Sequence, residues 1–126
     1  MEAPKKSSAA DIATKRALRG YRVYTALLTQ AEDDAPVATV IENTLSGAVV
    51  WTRASEGVYE GTLVDEFTDG KTVCNILQKN TTNNMTDIVQ TYRASVDAVH
   101  VLTLTDATTA KDELLTGTVI EIRVYP

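Results

Sequence analysis

The stretch Thr118-Val119-Ile120-Glu121-Ile122-Arg123-Val124-Tyr125 decides the fold class. Ile120, Ile122 and Val124 fall on one side of an extended chain, and Glu121, Arg123 and Tyr125 on the other. That period-two alternation is the signature of a half-buried β-strand with one wet face. A strand of this kind needs a neighbour on its ladder. The first apolar run of the chain, Tyr21 to Gln30, is the natural one, and pairing the two in antiparallel fashion is expected to set Arg22 opposite Glu121.

Between these two runs, β-branched residues recur in short blocks punctuated by turn residues. Val37–Glu42, Val49–Arg53, Val58–Leu63, Lys71–Gln78, Ile88–Ala94 and Ala98–Thr105 all read as strands. Val49–Arg53 and Val58–Leu63 are separated by four residues ending in Gly57, which makes them the clearest hairpin. Glu32–Pro36, Asn43–Gly47 and Asp65–Gly70 read as turns, Lys79–Asp87 as a polar loop, and Asp106–Glu113 as a loop with a helical turn. About eight strands at this spacing, with no alternation of strand and helix, predict an all-β domain: a small β-sandwich or barrel over residues 21–126.

Residues 1–20 differ in character. After a polar tail, residues 9–19 are mostly good helix formers, with Gly20 placed to end a helix in the left-handed conformation. This segment holds five basic and two acidic residues, net +3. The rest holds seven basic and fifteen acidic residues, net −8. A cationic arm on an anionic body is expected to meet a different surface from the body itself. A helix this short is not stable alone, so it is expected to dock.

At 126 residues the chain is one domain by length and can bury a core without staples. Its one cysteine, Cys74, allows no internal disulfide and reads as a small apolar strand residue. No apolar run approaches the ~18 residues of a membrane span, and no apolar stretch follows Lys5 and Lys6 as a secretory signal requires.

The residues carry no recognisable catalytic machinery. His100, the one histidine, shares a strand face with Leu102 and Leu104 and reads as a packed or rim side chain. One Cys and one His make no familiar zinc site, and the six glycines form no phosphate-binding pattern. Asp65, Glu66 and Asp69, like Glu32, Asp33 and Asp34, read as solvated acidic turns. Trp51 and Tyr59, on the two limbs of the hairpin, read as core or cross-strand aromatics. No cofactor, nucleic acid or membrane is expected as a partner.

Five stretches together carry a resemblance: Tyr21–Gln30, Ala35–Leu45, Val49–Arg53, Gly57–Leu63 and Ile120–Pro126. They resemble short β-rich proteins encoded by Bacteroidetes-type bacteria and by the phages and prophages that infect them. The resemblance spans roughly residues 21–126 and leaves out the arm. It implies a phage virion structural protein, made in the bacterial host cytoplasm: a head-associated decoration or head-fibre component, homo-oligomeric, with a trimer as the first expectation, touching capsid or fibre neighbours. It brings no catalytic residues. Attachment is expected through the arm, with Ile12 and Leu18 as apolar anchors and Lys15, Arg16 and Arg19 as the charged rim. The competing expectation is a receptor- or glycan-binding β module using the Lys79–Asp87 loop.

Overall fold

The computed structural model describes residues 20–79, 86–106 and 108–126. It is all-β, with nine strands in two antiparallel sheets. They are β1 (Arg22–Thr29), β2 (Val37–Asn43), β3 (Val50–Ser55), β4 (Val58–Thr62), β5 (Thr72–Gln78), β6 (Ile88–Ser95), β7 (Ala98–Thr105), β8 (Thr109–Ala110) and β9 (Thr116–Val124). One sheet has the order β2-β1-β9-β5. The other runs β3-β4-β7-β6, with β8 added beside β7. The two sheets stack as a sandwich.

The alternation read in the last strand holds. Ile120, Ile122 and Val124 are fully buried, while Glu121 and Arg123 are half-exposed on the outer face. Tyr24, Ala26 and Leu28 of β1 line up beside them, and Trp51, Tyr59, Val99 and Val101 come down from the facing sheet. Full burial of each large side chain is worth about 1.5–3 kcal/mol, so this layer is the main stabilising element. The Trp51 indole donates across it to the Tyr24 hydroxyl at 3.1 Å, joining the sheets.

The β3–β4 hairpin forms as expected, and its two glycines do separate work. Gly57 adopts φ +68°. A Cβ there would lie 2.5 Å from the Thr103 carbonyl oxygen and 2.6 Å from the Lys111 nitrogen. Gly61 pairs with Trp51, and a Cβ there would stand 3.0 Å from the indole ring. The ring therefore lies down over the glycine, inward toward the core.

The structure corrects three expectations. Arg22 pairs with Val124, and the residue opposite Glu121 is Thr25. The reason is parity: Arg22 shares the inward face of Tyr24, Ala26 and Leu28, whereas Glu121 points outward. Arg22 instead reaches Glu66 at 3.3 Å. The segment after Asp106 contains no helical turn among its described residues; Thr109 and Ala110 fold back on Thr105 and Leu104 as β8. The Asp65–Gly70 turn is more than a solvated loop, because Phe67 within it is fully buried. The segment Leu63–Phe67 is strapped over the β6–β7 turn by hydrogen bonds from Leu63 N–H to the Asp97 carbonyl and from Phe67 N–H to the Val96 carbonyl. The helix expected over residues 9–19 lies outside the described residues, as does most of the Lys79–Asp87 loop.

Candidate functional site

The two sheets differ on their outward faces. On the four-stranded sheet, Leu27 pairs with Val119, and the bulge at Ile76/Gln78 leaves Leu77 exposed beside Val119. Leu27 and Val119 are half-buried. Val37, at the Thr29 position of the neighbouring edge strand, is 68% exposed, and Leu77 is 55% exposed. Thr39 stands opposite Leu27 on the edge strand and Gln78 opposite Val119 on β5, so the apolar pair Leu27–Val119 is bordered by polar residues, with Val37 and Leu77 exposed at its margins. Next to this pair runs a polar row, Glu42, Thr25, Glu121 and Asn75.

The end of the same face carries an aromatic and cationic cluster. The rings of Tyr21 and Tyr125 lie 5.1 Å apart. The Arg123 guanidinium sits 4.8 Å above the Tyr21 ring and is hydrogen-bonded to Glu121. Contacts with the Tyr125 and Glu121 side chains hold Arg123 still more firmly in its charged form. The cluster builds up the corner at which the chain enters β1 from Gly20, whose φ is +71°.

The five-stranded sheet presents a polar ladder instead. Register places Glu60, His100 and Tyr92 side by side on β4, β7 and β6. His100 Nε2 lies 2.9 Å from Glu60 Oε2, and Nδ1 lies 3.0 Å from the Tyr92 hydroxyl. Glu60 can only accept, so Nε2 is the donor to it, while the Tyr92 hydroxyl can either donate to Nδ1 or accept from it. Both nitrogens are engaged, so the ring serves as a cross-strand tie on a half-exposed face, in keeping with a rim histidine.

A buried polar network closes one corner of the sandwich. Asp112 Oδ2 accepts from Arg53 Nη2 at 2.7 Å and from Arg53 Nε at 3.0 Å. Its Oδ1 accepts from the Gly57 N–H at 2.9 Å and lies 2.8 Å from the Tyr59 hydroxyl. Gln30 Oε1 also lies 2.9 Å from that hydroxyl and accepts from the Glu113 N–H at 2.7 Å. The Tyr59 proton can serve one acceptor at a time, and the charged carboxylate is the stronger. Burial pushes Asp112 up, but Arg53, the Gly57 N–H and Tyr59 together hold it below the usual carboxylate range. Burial, then the bond to Asp112, pushes the Tyr59 phenol up. The Gln30 amide donates to the carbonyls of Glu32 and Asp34, which shapes the acidic turn.

Glu66 departs from the sequence reading. It is 2% exposed and accepts from the Ser46 N–H and hydroxyl at 3.2 and 2.9 Å. It is a structural anchor rather than a solvated ligand. Asp65 and Asp69 are exposed, and Asp69 faces Arg93 at 3.5 Å. Cys74, on the core side of β5, has its thiol pushed up to about 11 by burial, against a weaker opposing bond from Thr91. Asp87 is 1% exposed, with both carboxylate oxygens buried and without hydrogen-bond partners. Among the described residues, no group of three or more His, Cys, Asp or Glu is placed to hold a metal, and no helix is long and apolar enough to cross a membrane.

Ile12, Lys15, Arg16, Leu18 and Arg19, the residues expected to dock the arm, lie outside the described residues. The outward apolar pair Leu27–Val119 was not legible from the sequence, although each of its members was. Leu27 and Val119 sit in ordinary strand alternation, and only the β1–β9 register brings them together. No family model matches the chain, and neither does any curated protein or solved structure.

Proposed function

We propose that the chain is a structural protein of a bacteriophage particle, in the first instance a head-associated decoration or head-fibre component attached through its N-terminal arm. The supporting observation is the set of apolar side chains on the outward face of the four-stranded sheet, the exposed Val37 and Leu77 and the half-buried pair Leu27–Val119. The inward face of that sheet already fills the core, so these outward side chains are available for contact with another protein surface. The segregation of charge between residues 1–20 and the body supports a division into a docking arm and a displayed or oligomerising domain. The phage setting rests on the resemblance of the five sequence stretches. Mass spectrometry of purified particles tests it. The expected result is this chain in high copy, and its absence from particles refutes the reading.

The Glu60–His100–Tyr92 ladder favours a second reading, a receptor- or glycan-binding module. It offers a half-exposed aromatic ring beside polar groups, which is chemistry suited to a sugar face. Here a glycan array decides. Binding lost in Tyr92→Ala supports this reading, and an array with no ligand removes it.

A further inference from the structure

We infer that the outer edge of β2 pairs with β2 of a second copy of this chain, antiparallel and about a two-fold axis through Thr39. The inference goes beyond the function proposed above. It names a surface and its partner, and it does not depend on the phage setting.

The sandwich is closed on one side and open on the other. β5 packs against β6, and the Cys74 thiol is bonded to Thr91 across that seam. β2 and β3 are the strands at the opposite edges of their sheets. Among the described residues, β2 pairs only with β1. Val37, Val40 and Ile41 of β2 are exposed, as is Val50 at the start of β3. Val40 stands beside Ala26, which is fully buried, so the two side chains share the core face. Yet Val40 is 50% exposed. An apolar side chain on the core face, at the last strand of its sheet, is a core layer that ends before it is covered.

β2 also lacks most of the devices that blunt an edge. It holds no lysine, arginine or proline, and its one charged residue, Glu42, lies near its end. The irregularity in its pairing with β1 falls at Ile41 and leaves Val37 to Val40 in regular register. β3 differs: it carries Arg53, engaged with Asp112, and a register break before Ser55.

Parity and charge select a second copy as the partner. An antiparallel neighbour must set core-facing residues against core-facing ones. Centred on Thr39, the register sets Ala38 against Val40 twice on the inner face and Val37 against Ile41 twice on the outer face, and Thr39 meets itself. The segment is its own complement, which is the condition for an isologous two-fold contact. Paired threonines and paired β-branched side chains are favourable across a ladder. The body is net −8, so most of its faces repel a second copy. In this register Glu42 falls opposite Pro36, and the two Glu42 side chains stand six positions apart. At about 3.4 Å per residue that is about 20 Å, well beyond a Debye length of about 8 Å. Parallel in-register pairing would stack the two carboxylates at about 5 Å.

Sedimentation velocity of the full chain at concentrations up to about 1 mM tests the inference, because a contact of five paired residues lies at the small end of specific interfaces. The expected species are monomer and dimer in reversible exchange. Thr39 is exposed and lies on the outer face beside Leu27, so its replacement leaves the core alone. Thr39→Lys and Thr39→Glu are each expected to weaken the dimer about tenfold or more, by setting like charges opposite each other. Mixing the two variants is expected to restore association, since lysine then faces glutamate. Far-UV circular dichroism matching the wild type shows each variant folded. The inference is overturned if the wild-type chain stays monomeric at about 1 mM, if it forms a trimer instead, or if the mixture associates no better than its components. Particle composition is a separate matter. A dimer from a chain absent from particles discards the phage setting alone, and a monomer abundant in particles discards the β2 pairing alone.

Discussion

Replacing Asp112 by alanine tests whether the corner network holds the two sheets in register. The carboxylate is 12% exposed at its side chain and receives donors from Arg53, the Gly57 N–H and Tyr59. Its loss leaves the Gly57 amide buried without an acceptor, at a cost of about 1–3 kcal/mol. The Arg53 pair adds less than a fully buried one, because that side chain is 27% exposed and water takes over part of its contact. Tyr59 loses little, since Gln30 Oε1 at 2.9 Å remains as an acceptor. The expected loss is therefore set by the Gly57 amide, about 2 kcal/mol, or a fall of roughly 8 °C in Tm for a domain of this size. Urea denaturation of both proteins at pH 7 measures it. The pH profile adds an independent check. Asp112 is held below the usual carboxylate range in the folded chain, whereas the unfolded chain binds its proton near pH 3.9. Its contribution is therefore complete above that value and disappears as pH falls through the lower, folded one. The Asp112→Ala protein should lack this part of the acid slope. A loss below about 1 kcal/mol at pH 7, with an unchanged acid limb, would refute the reasoning.

Three further outcomes follow from the geometry. Gly57→Ala should cost about 3 kcal/mol or more or abolish folding, because its Cβ meets backbone atoms at 2.5 and 2.6 Å, whereas Gly70→Ala, at φ +73° in open space, should cost about 1–2 kcal/mol; thermal melts of the two separate steric clash from backbone conformation. Cys74 should label with iodoacetamide at pH 8 far more slowly in the folded than in the urea-unfolded protein, because burial raises its thiol to about 11, and equal rates would contradict that burial. Asp87→Leu, which replaces two buried oxygens that have no partner by an apolar side chain, should leave the protein as stable as before or more so; a loss of about 2 kcal/mol or more in urea denaturation would contradict that reading.

Legibility in the sequence tracked the range of the cause. The β9 alternation and the Gly57 hairpin arise from neighbours a few residues apart, and both were read correctly. The pairing of β1 with β9 was also foreseen, but its register was not. A bid to match Arg22 with Glu121 set charge complementarity against side-chain parity, and the cost of turning a whole apolar face outward decides such contests. Phe67 was hidden inside an acidic turn, where one ring among Asp65, Glu66 and Asp69 gives no periodic signal. Gln30, Tyr59 and Asp112 converge across separations of 29 and 53 residues, so no local pattern announces them. β8, at two residues, is too short to show alternation at all. The Leu27–Val119 pair on the outer face escaped for a related reason: it exists only after the register of β1 on β9 is known.

The position of Trp51 equips the molecule with its own optical gauge. It is the one tryptophan in the chain, 8% exposed, laid over Gly61 and tied to Tyr24 on the opposite sheet. Its emission should shift to the red when the sheets part and water reaches the indole. Occupancy of the outward face of the four-stranded sheet, on the far side of the backbone, should leave that colour unchanged. Fluorescence thus separates two events that a change in mass alone would merge. A subunit that joins an assembly intact stays spectrally silent, and one that must open its sandwich to do so changes colour as it binds.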